Sequence, residues 1–276
     1  MKRIIQISFT AGVLLFGLSG TLFSQSYQWK PIKKYSLEEQ AKWSVDGLSN
    51  LYISNNSVIS KIDSTGSLKF QQSIKSLGDL SQILPINTMK LVHFSEEQQT
   101  LCYFDNTLTQ NEDCIELIDR DVLNATAIAT SERSDMLWVY DEINSRLSLF
   151  NTEGNDQQNI RIENIRGILG TENVDQLIER GNKLYLLDKN IGVFILDIYG
   201  SLINKVTLKD AKAITAGQSA LYVLFDDHIS VFPDESPDRF DIQLPIENVL
   251  EFEFKGGFLY LRTPKNVHKF RLQSLK

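Results

Sequence analysis

Apolar residues in this chain fall in short runs separated by polar turns, and within each run they alternate with polar ones. One pattern of apolar, usually aromatic, apolar recurs as Leu51-Tyr52-Ile53, Leu137-Trp138-Val139, Leu184-Tyr185-Leu186, Leu221-Tyr222-Val223 and Leu259-Tyr260-Leu261, with a weaker copy at Lys90-Leu91-Val92. The central positions 52, 91, 138, 185, 222 and 260 are separated by 39, 47, 47, 37 and 38 residues. A second alternating run follows each copy, as in Ile59-Ser60-Lys61-Ile62-Asp63, Cys102-Tyr103-Phe104-Asp105 and Phe194-Ile195-Leu196-Asp197. A third comes after a turn in several units (Leu68-Lys69-Phe70, Ile160-Arg161-Ile162, Ile203-Asn204-Lys205-Val206), and a further short run precedes the aromatic motif (Ala127-Ile128-Ala129, Ala213-Ile214-Thr215). Period-2 runs of this length, bounded by Gly66, Gly154 and Gly200, predict four short strands per unit. No long helix is predicted; the nearest approach to helical spacing, Val174 to Glu179, falls where a first strand is due.

Four antiparallel strands repeating every ~40–45 residues mark a β-propeller, in which each small sheet is covered by its neighbours around a ring. Six units account for the chain after position 24, so the predicted fold is all-β: a six-bladed β-propeller with four antiparallel strands per blade. The sixth unit lacks a fourth strand, while a spare alternating segment, Tyr27-Gln28-Trp29-Lys30-Pro31-Ile32, runs on to Tyr35 near the start. That segment is predicted to close the last blade as its outermost strand. Pro31 fits an edge position, where a missing N–H costs no ladder bond.

The third unit, Leu137-Trp138-Val139-Tyr140-Asp141-Glu142-Ile143-Asn144-Ser145-Arg146-Leu147-Ser148-Leu149-Phe150, resembles the NHL repeat, with its Asp, Asn, Arg and closing Phe in order. The Leu-Tyr pattern of the other units is similar to NHL and YWTD-type six-bladed propellers. In this unit Asp141 and Arg146 flank a turn and are expected to pair across it.

Composition narrows the class. With 42% hydrophobic residues, 15 Gly and 6 Pro in 276, the chain is neither disordered nor collagen-like. A net charge of −7 and the absence of a Lys/Arg run argue against nucleic acid as a partner. Residues 1–24 read as an export signal: Lys2 and Arg3, then an apolar centre at Val13-Leu14-Leu15-Phe16, then small residues before a cut after Ser24. An uncleaved anchor is the alternative, although Gln6, Ser8 and Thr10 interrupt the apolar stretch. No cysteine lies near the cut to carry a lipid, and no later segment is long and apolar enough to span a bilayer. The expected organisation is a signal peptide over 1–24 and a propeller domain over 25–276, located in the periplasm or secreted. Cys102 and Cys114 are the only cysteines. In an oxidising compartment they are expected to form a disulfide, the alternative being two small buried apolar residues.

Candidate chemistry is sparse. His93, His228 and His268 lie in different units, and no metal-binding, nucleophile-elbow or phosphate-loop spacing occurs. What the alignment does gather is acid. The loops joining second to third strands and blade to blade hold Glu38, Glu39, Glu96, Glu97, Asp119, Asp121, Asp141, Glu142, Asp188, Asp210, Asp226, Asp227 and Glu247. Asp141, Asp188, Asp226 and Asp227 are the candidate binding residues of this acidic face, which would attract a basic partner; ordinary solvation of loops is the alternative reading. No cofactor is implied, and only Asp226-Asp227 offers hard oxygen ligands of the kind Ca²⁺ takes. On the opposite loops, Asp63-Ser64-Thr65 resembles a short O-glycosylation motif of some exported bacterial proteins and equally suits a tight turn. The expectation is a monomeric, non-catalytic binding or scaffold propeller of a bacterial cell envelope with a protein partner. Alternatives are a lactonase-like propeller hydrolase or lyase holding a metal in its channel, and a small-ligand sensor.

Overall fold

A computed structural model describes residues 27–55, 57–110, 114–152 and 159–274; the expected export signal lies outside the described residues. The described chain forms six antiparallel sheets of four strands each. Blade 1 is Lys42–Val45, Leu51–Asn55, Val58–Ile62 and Leu68–Ser73, and blade 2 is Gln82–Pro85, Lys90–Ser95, Thr100–Asp105 and Ile115–Glu116. Blade 3 is Ala125–Thr130, Met136–Asp141, Arg146–Asn151 and Ile160–Ile162; blade 4 is Gln176–Arg180, Lys183–Asp188, Gly192–Asp197 and Leu202–Thr207. Blade 5 is Ala213–Ala216, Ala220–Leu224, His228–Pro233 and Phe240–Gln243. Blade 6 is Glu251–Lys255, Phe258–Thr263, Asn266–Ser274 and, as its outermost strand, Tyr27–Ser36.

Burial explains why the second strands read as nearly continuous apolar runs. In Met136–Asp141 all six residues are buried. Met136, Trp138 and Tyr140 enter the layer shared with blade 4, while Leu137 and Val139 enter the layer shared with blade 2. A strand covered on both faces has no polar side to show. Six such apolar layers occur, one at each junction around the ring. Burial falls away outward: every residue of Leu68–Ser73 is exposed.

Closure depends on one irregularity. Tyr27–Ser36 pairs antiparallel with Asn266–Ser274, and the register shifts between Pro31 and Lys33. The extra residue inverts the alternation. Trp29, opposite Leu272, therefore packs toward blade 5, and Tyr35, opposite Val267, packs toward blade 1. Lys33 Nζ adds hydrogen bonds to the carbonyls of Thr65 and Gly66 in blade 1.

Polar side chains tie blade to blade where strands leave off. Lys61 Nζ donates to Asn106 O (2.8 Å), Lys90 Nζ to Thr152 Oγ1 (3.0 Å) and Lys269 Nζ to Ser64 O (3.4 Å), each reaching the hairpin turn of the next blade. Gln99 and Gln176 use both ends of their amides to pair with the backbone of Ala125 and Ile214, extending the ladder across the junction. The turns of blades 1 and 2 are set by aspartates. Asp63 Oδ1 accepts from Thr65 N, Thr65 Oγ1 and Ser67 N, and Asp105 Oδ1 accepts from Thr107 N, Thr107 Oγ1 and Thr109 N. Asp197 repeats the motif with Tyr199 N and Ser201 N. These bonds and the Lys69 ammonium hold the Asp63 carboxyl well below the usual carboxylate range.

Blade 2 has an outer strand of two residues, Ile115–Glu116, and is reinforced covalently by a Cys102–Cys114 disulfide. Opposite Cys102, on the same face, lies His93. The histidine is fully buried and neither ring nitrogen has a hydrogen-bond partner. Burial lowers its pKa to about 4.

Two outcomes follow. The disulfide closes a loop over a sequence separation of 12, which corresponds to about 3 kcal/mol of stabilisation. Reductant is therefore expected to lower the melting temperature of the wild type to that of a Cys102→Ala/Cys114→Ala variant and to leave the variant unmoved; a wild type indifferent to reductant contradicts it. His93 is neutral in the fold and has a lower pKa there than when unfolded, so protons favour the unfolded chain. Stability should fall as pH drops from about 6.5 toward 4, losing about 3 kcal/mol in all. Urea titrations should show this acid loss reduced by that amount in His93→Leu; parallel profiles would exclude the histidine as its source.

Candidate functional site

The six inner strands surround an open central channel of about 1630 Å³. All six run in the same sense, so their first residues meet the outer-to-inner connections and the second-to-third-strand turns on one loop face. At that mouth stand Lys42, Asp175, Lys189, Asp210, Lys212, Asp226 and Glu251. Glu251 is fixed, accepting from Trp43 Nε1 at 2.6 Å and lying 3.7 Å from Arg262 Nε. Arg262 is itself buried and donates through Nη2 to the carbonyls of Glu39 and Ala41, pinning the connection from the closing strand into blade 1. Asp175 accepts from Lys189 N at 2.8 Å. Deeper in the channel, burial raises the Glu253 carboxyl to about 7, with Lys255 Nζ 3.7 Å away opposing the shift.

The four candidate aspartates divide into two kinds. Asp141 is fully buried. Its carboxylate accepts from Leu123 N (3.0 Å), Asn124 N (3.2 Å), Asn144 N (3.3 Å) and Asn144 Nδ2 (2.7 Å). Arg146, also buried, lies 3.7 Å from it and reaches on to Asp121. The expected pairing of Asp141 with Arg146 is present, under the turn rather than on its surface. Asp188 is likewise buried and accepts from Thr171 Oγ1 at 2.7 Å and Asn190 N at 2.8 Å.

Asp226 and Asp227 instead point outward, with side chains 82% and 76% exposed. Asp226 Oδ1 lies 2.5 Å from Lys212 Nζ at the channel mouth. His228 Nδ1 lies 2.6 Å from Asp227 Oδ1, and this contact keeps the Asp227 carboxyl below its ordinary range. The structure thus brings Asp226 to the mouth, leaves Asp227 exposed on the loop face beside it, and places Asp141 and Asp188 beneath the turns of blades 3 and 4.

Histidines do not converge: His93 sits between blades 1 and 2, His228 at the loop face, and His268 on the third strand of blade 6 stacked on Phe270. Among the described residues, no three His, Cys, Asp or Glu side chains gather to hold a metal ion. Reading the loops for charge alone passes over three apolar side chains on the same face: Ile118 (56% exposed), Leu123 (46%) and Ile143 (62%).

No family model matches the chain, and no curated protein matches it. Solved structures do. Virginiamycin B lyase from Staphylococcus aureus is 11% identical with a TM-score of 0.60, the match covering 90% of this chain and 100% of that one. The WD40 domain of Pan2 from Neurospora crassa is 9% identical with a TM-score of 0.63, covering 88% and 94%. BBS1N in complex with ARL6DN is 13% identical with a TM-score of 0.57, covering 83% and 77%. At these identities the likeness concerns architecture, and it agrees with the strand order above: the chain is a six-bladed β-propeller.

Proposed function

We propose that this chain is a non-catalytic binding or scaffold propeller, exported to a bacterial cell envelope, that holds a basic protein partner on its loop face around the channel mouth. The observation that carries the reading is the outward stance of Asp226 and Asp227 on a loop face whose channel mouth sets Asp175, Asp210, Asp226 and Glu251 against Lys42, Lys189 and Lys212. Carboxylates clustered at a low-dielectric opening focus the field toward cations and speed their capture. Asp141 and Asp188 serve the same surface from below, by fixing the turns on which it stands. Export is supported by the character of residues 1–24 and by a disulfide in blade 2, a bond that persists in oxidising compartments. Within the six-bladed class, the third unit favours kinship with NHL propellers, and the Leu-Tyr pattern of the other units with NHL and YWTD-type ones. BBS1N, similar in architecture, is in complex with ARL6DN in its solved structure, although fold alone does not fix function.

The test is charge reversal. A dye-labelled lysine decapeptide should bind the wild type with an affinity that falls as salt is raised. Asp226→Lys/Asp227→Lys should weaken binding at low salt at least tenfold, with an unchanged melting temperature. Equal affinity for wild type and variant would remove the acidic mouth as the binding surface.

A further inference from the structure

The loop face carries a second feature, over blades 2 and 3. The connection 117–124 and the turn 141–146 are bound together by the Asp141 carboxylate, which accepts from Leu123 N and Asn124 N on one side and from Asn144 on the other. Glu142 N donates to Asn124 O (2.9 Å), and Asn124 Nδ2 donates to Glu142 Oε2 (2.9 Å). Arg146 closes the arrangement from beneath by bonding Asp121. This network joins the two loops that carry Leu123 and Ile143, both exposed, with Ile118 exposed on the same connection as Leu123.

The repeat provides an internal control. In blade 2, Ser95 and Thr100 pair across the turn Glu96-Glu97-Gln98-Gln99, and in blade 3 Asp141 and Arg146 pair across Glu142-Ile143-Asn144-Ser145. Both turns end on a residue of positive φ, Gln99 (54°) and Ser145 (49°), so they share a backbone course. The tip position is Glu97 in one and Ile143 in the other. The turn therefore accepts a charged, well-solvated tip, and nothing in its conformation asks for isoleucine. An exposed apolar side chain on a rigid, hydrogen-bonded base is the form of an interface anchor, since little ordering remains to be done on binding.

Charge around the anchors selects the partner. Glu96, Glu97, Glu116 and Asp119 are exposed around them. The basic residues of the three loops are Arg120, half-buried and engaged, and Arg146, buried under Asp121 and Asp141; the exposed arginines bordering them, Arg161 and Arg166, are ion-paired with Asp121 and Glu172. We infer that Ile118, Leu123 and Ile143 form a docking site for a segment of a partner protein that presents an apolar side chain flanked by lysine or arginine. The site rests on the reading of the loop face as the binding surface, and it adds to that reading an apolar centre remote in sequence from Asp226 and Asp227.

Three dye-labelled peptides of equal length separate the contributions: leucine with lysine, serine with lysine, and leucine with glutamate. By fluorescence anisotropy the leucine–lysine peptide should bind at least tenfold tighter than either of the others. Ile143→Glu and Leu123→Glu, both at exposed positions, should each reduce its affinity about tenfold while the melting temperature holds. Hydrogen exchange on the wild type with this peptide bound should slow at residues 121–125 and 142–145. Equal binding of the serine–lysine peptide, or no effect of Ile143→Glu, overturns the docking site. If Ile143→Glu has no effect but Asp226→Lys/Asp227→Lys does, the acidic loop face stands and this corner falls; if neither variant changes binding, both readings fall together.

Discussion

A sheet whose second strand is apolar on both faces has to be covered on both faces. Trp138 and Tyr140 point one way and Leu137 and Val139 the other, and all four are buried. No single blade can satisfy that demand, and neither can an open row, because its end blades would each leave one face in water. Closing the row is what brings every second strand under cover. The join is made at blade 6, where chain from before blade 1 supplies the outer strand. The shift between Pro31 and Lys33 matters here because it lets one strand deliver Trp29 to one junction and Tyr35 to the other.

With the ring closed, the polar groups sort by where they stand. Aspartates at turn entrances, such as Asp46, Asp63, Asp105 and Asp197, turn their oxygens back on nearby backbone amides. Asp141 and Asp188 do the same, and these two and Asp46 do so under cover. Loop acids in this protein thus have two uses that a net charge does not distinguish. Those that hold a turn are committed to it, whereas the exposed Asp226 and Asp227 meet the side chains of Lys212 and His228. The apolar anchors at Leu123 and Ile143 depend on the first kind, since Asp141 is what holds their two loops together.

Much of this architecture was legible in the sequence because it follows from alternation and period. Five aromatic-centred runs and the weaker copy at Lys90-Leu91-Val92 locate the second strands, and the spare alternating segment with Pro31 identifies the closing strand. The disulfide followed from a chain with two cysteines that reads as exported to an oxidising compartment. Other features depend on three-dimensional surroundings. The five-residue helix Ile165–Leu169 carries local signals, a cap at Asn164 and a left-handed Gly170, but is too short to show a helical period. The bulge leaves no mark beyond the proline. Whether Asp141 was exposed or buried could not be told from its place in a loop, since burial there is decided by the neighbouring connection folding over it. The exposure of Ile143 was open to comparison of equivalent turn tips, Glu97 against Ile143, but that comparison needs the register of both hairpins.

Closure by the first strand is the claim on which the rest stands, and native-state hydrogen exchange read strand by strand addresses it most directly. If the ring is held by the pairing of Tyr27–Ser36 with Asn266–Ser274, the paired amides of that strand should open with the same free energy as the buried second strands Met136–Asp141 and Lys183–Asp188, and respond to denaturant in parallel with them. Exchange of Tyr27–Ser36 at a fast, denaturant-independent rate while the other blades stay protected would contradict the account, because the ring would then be stable without its join.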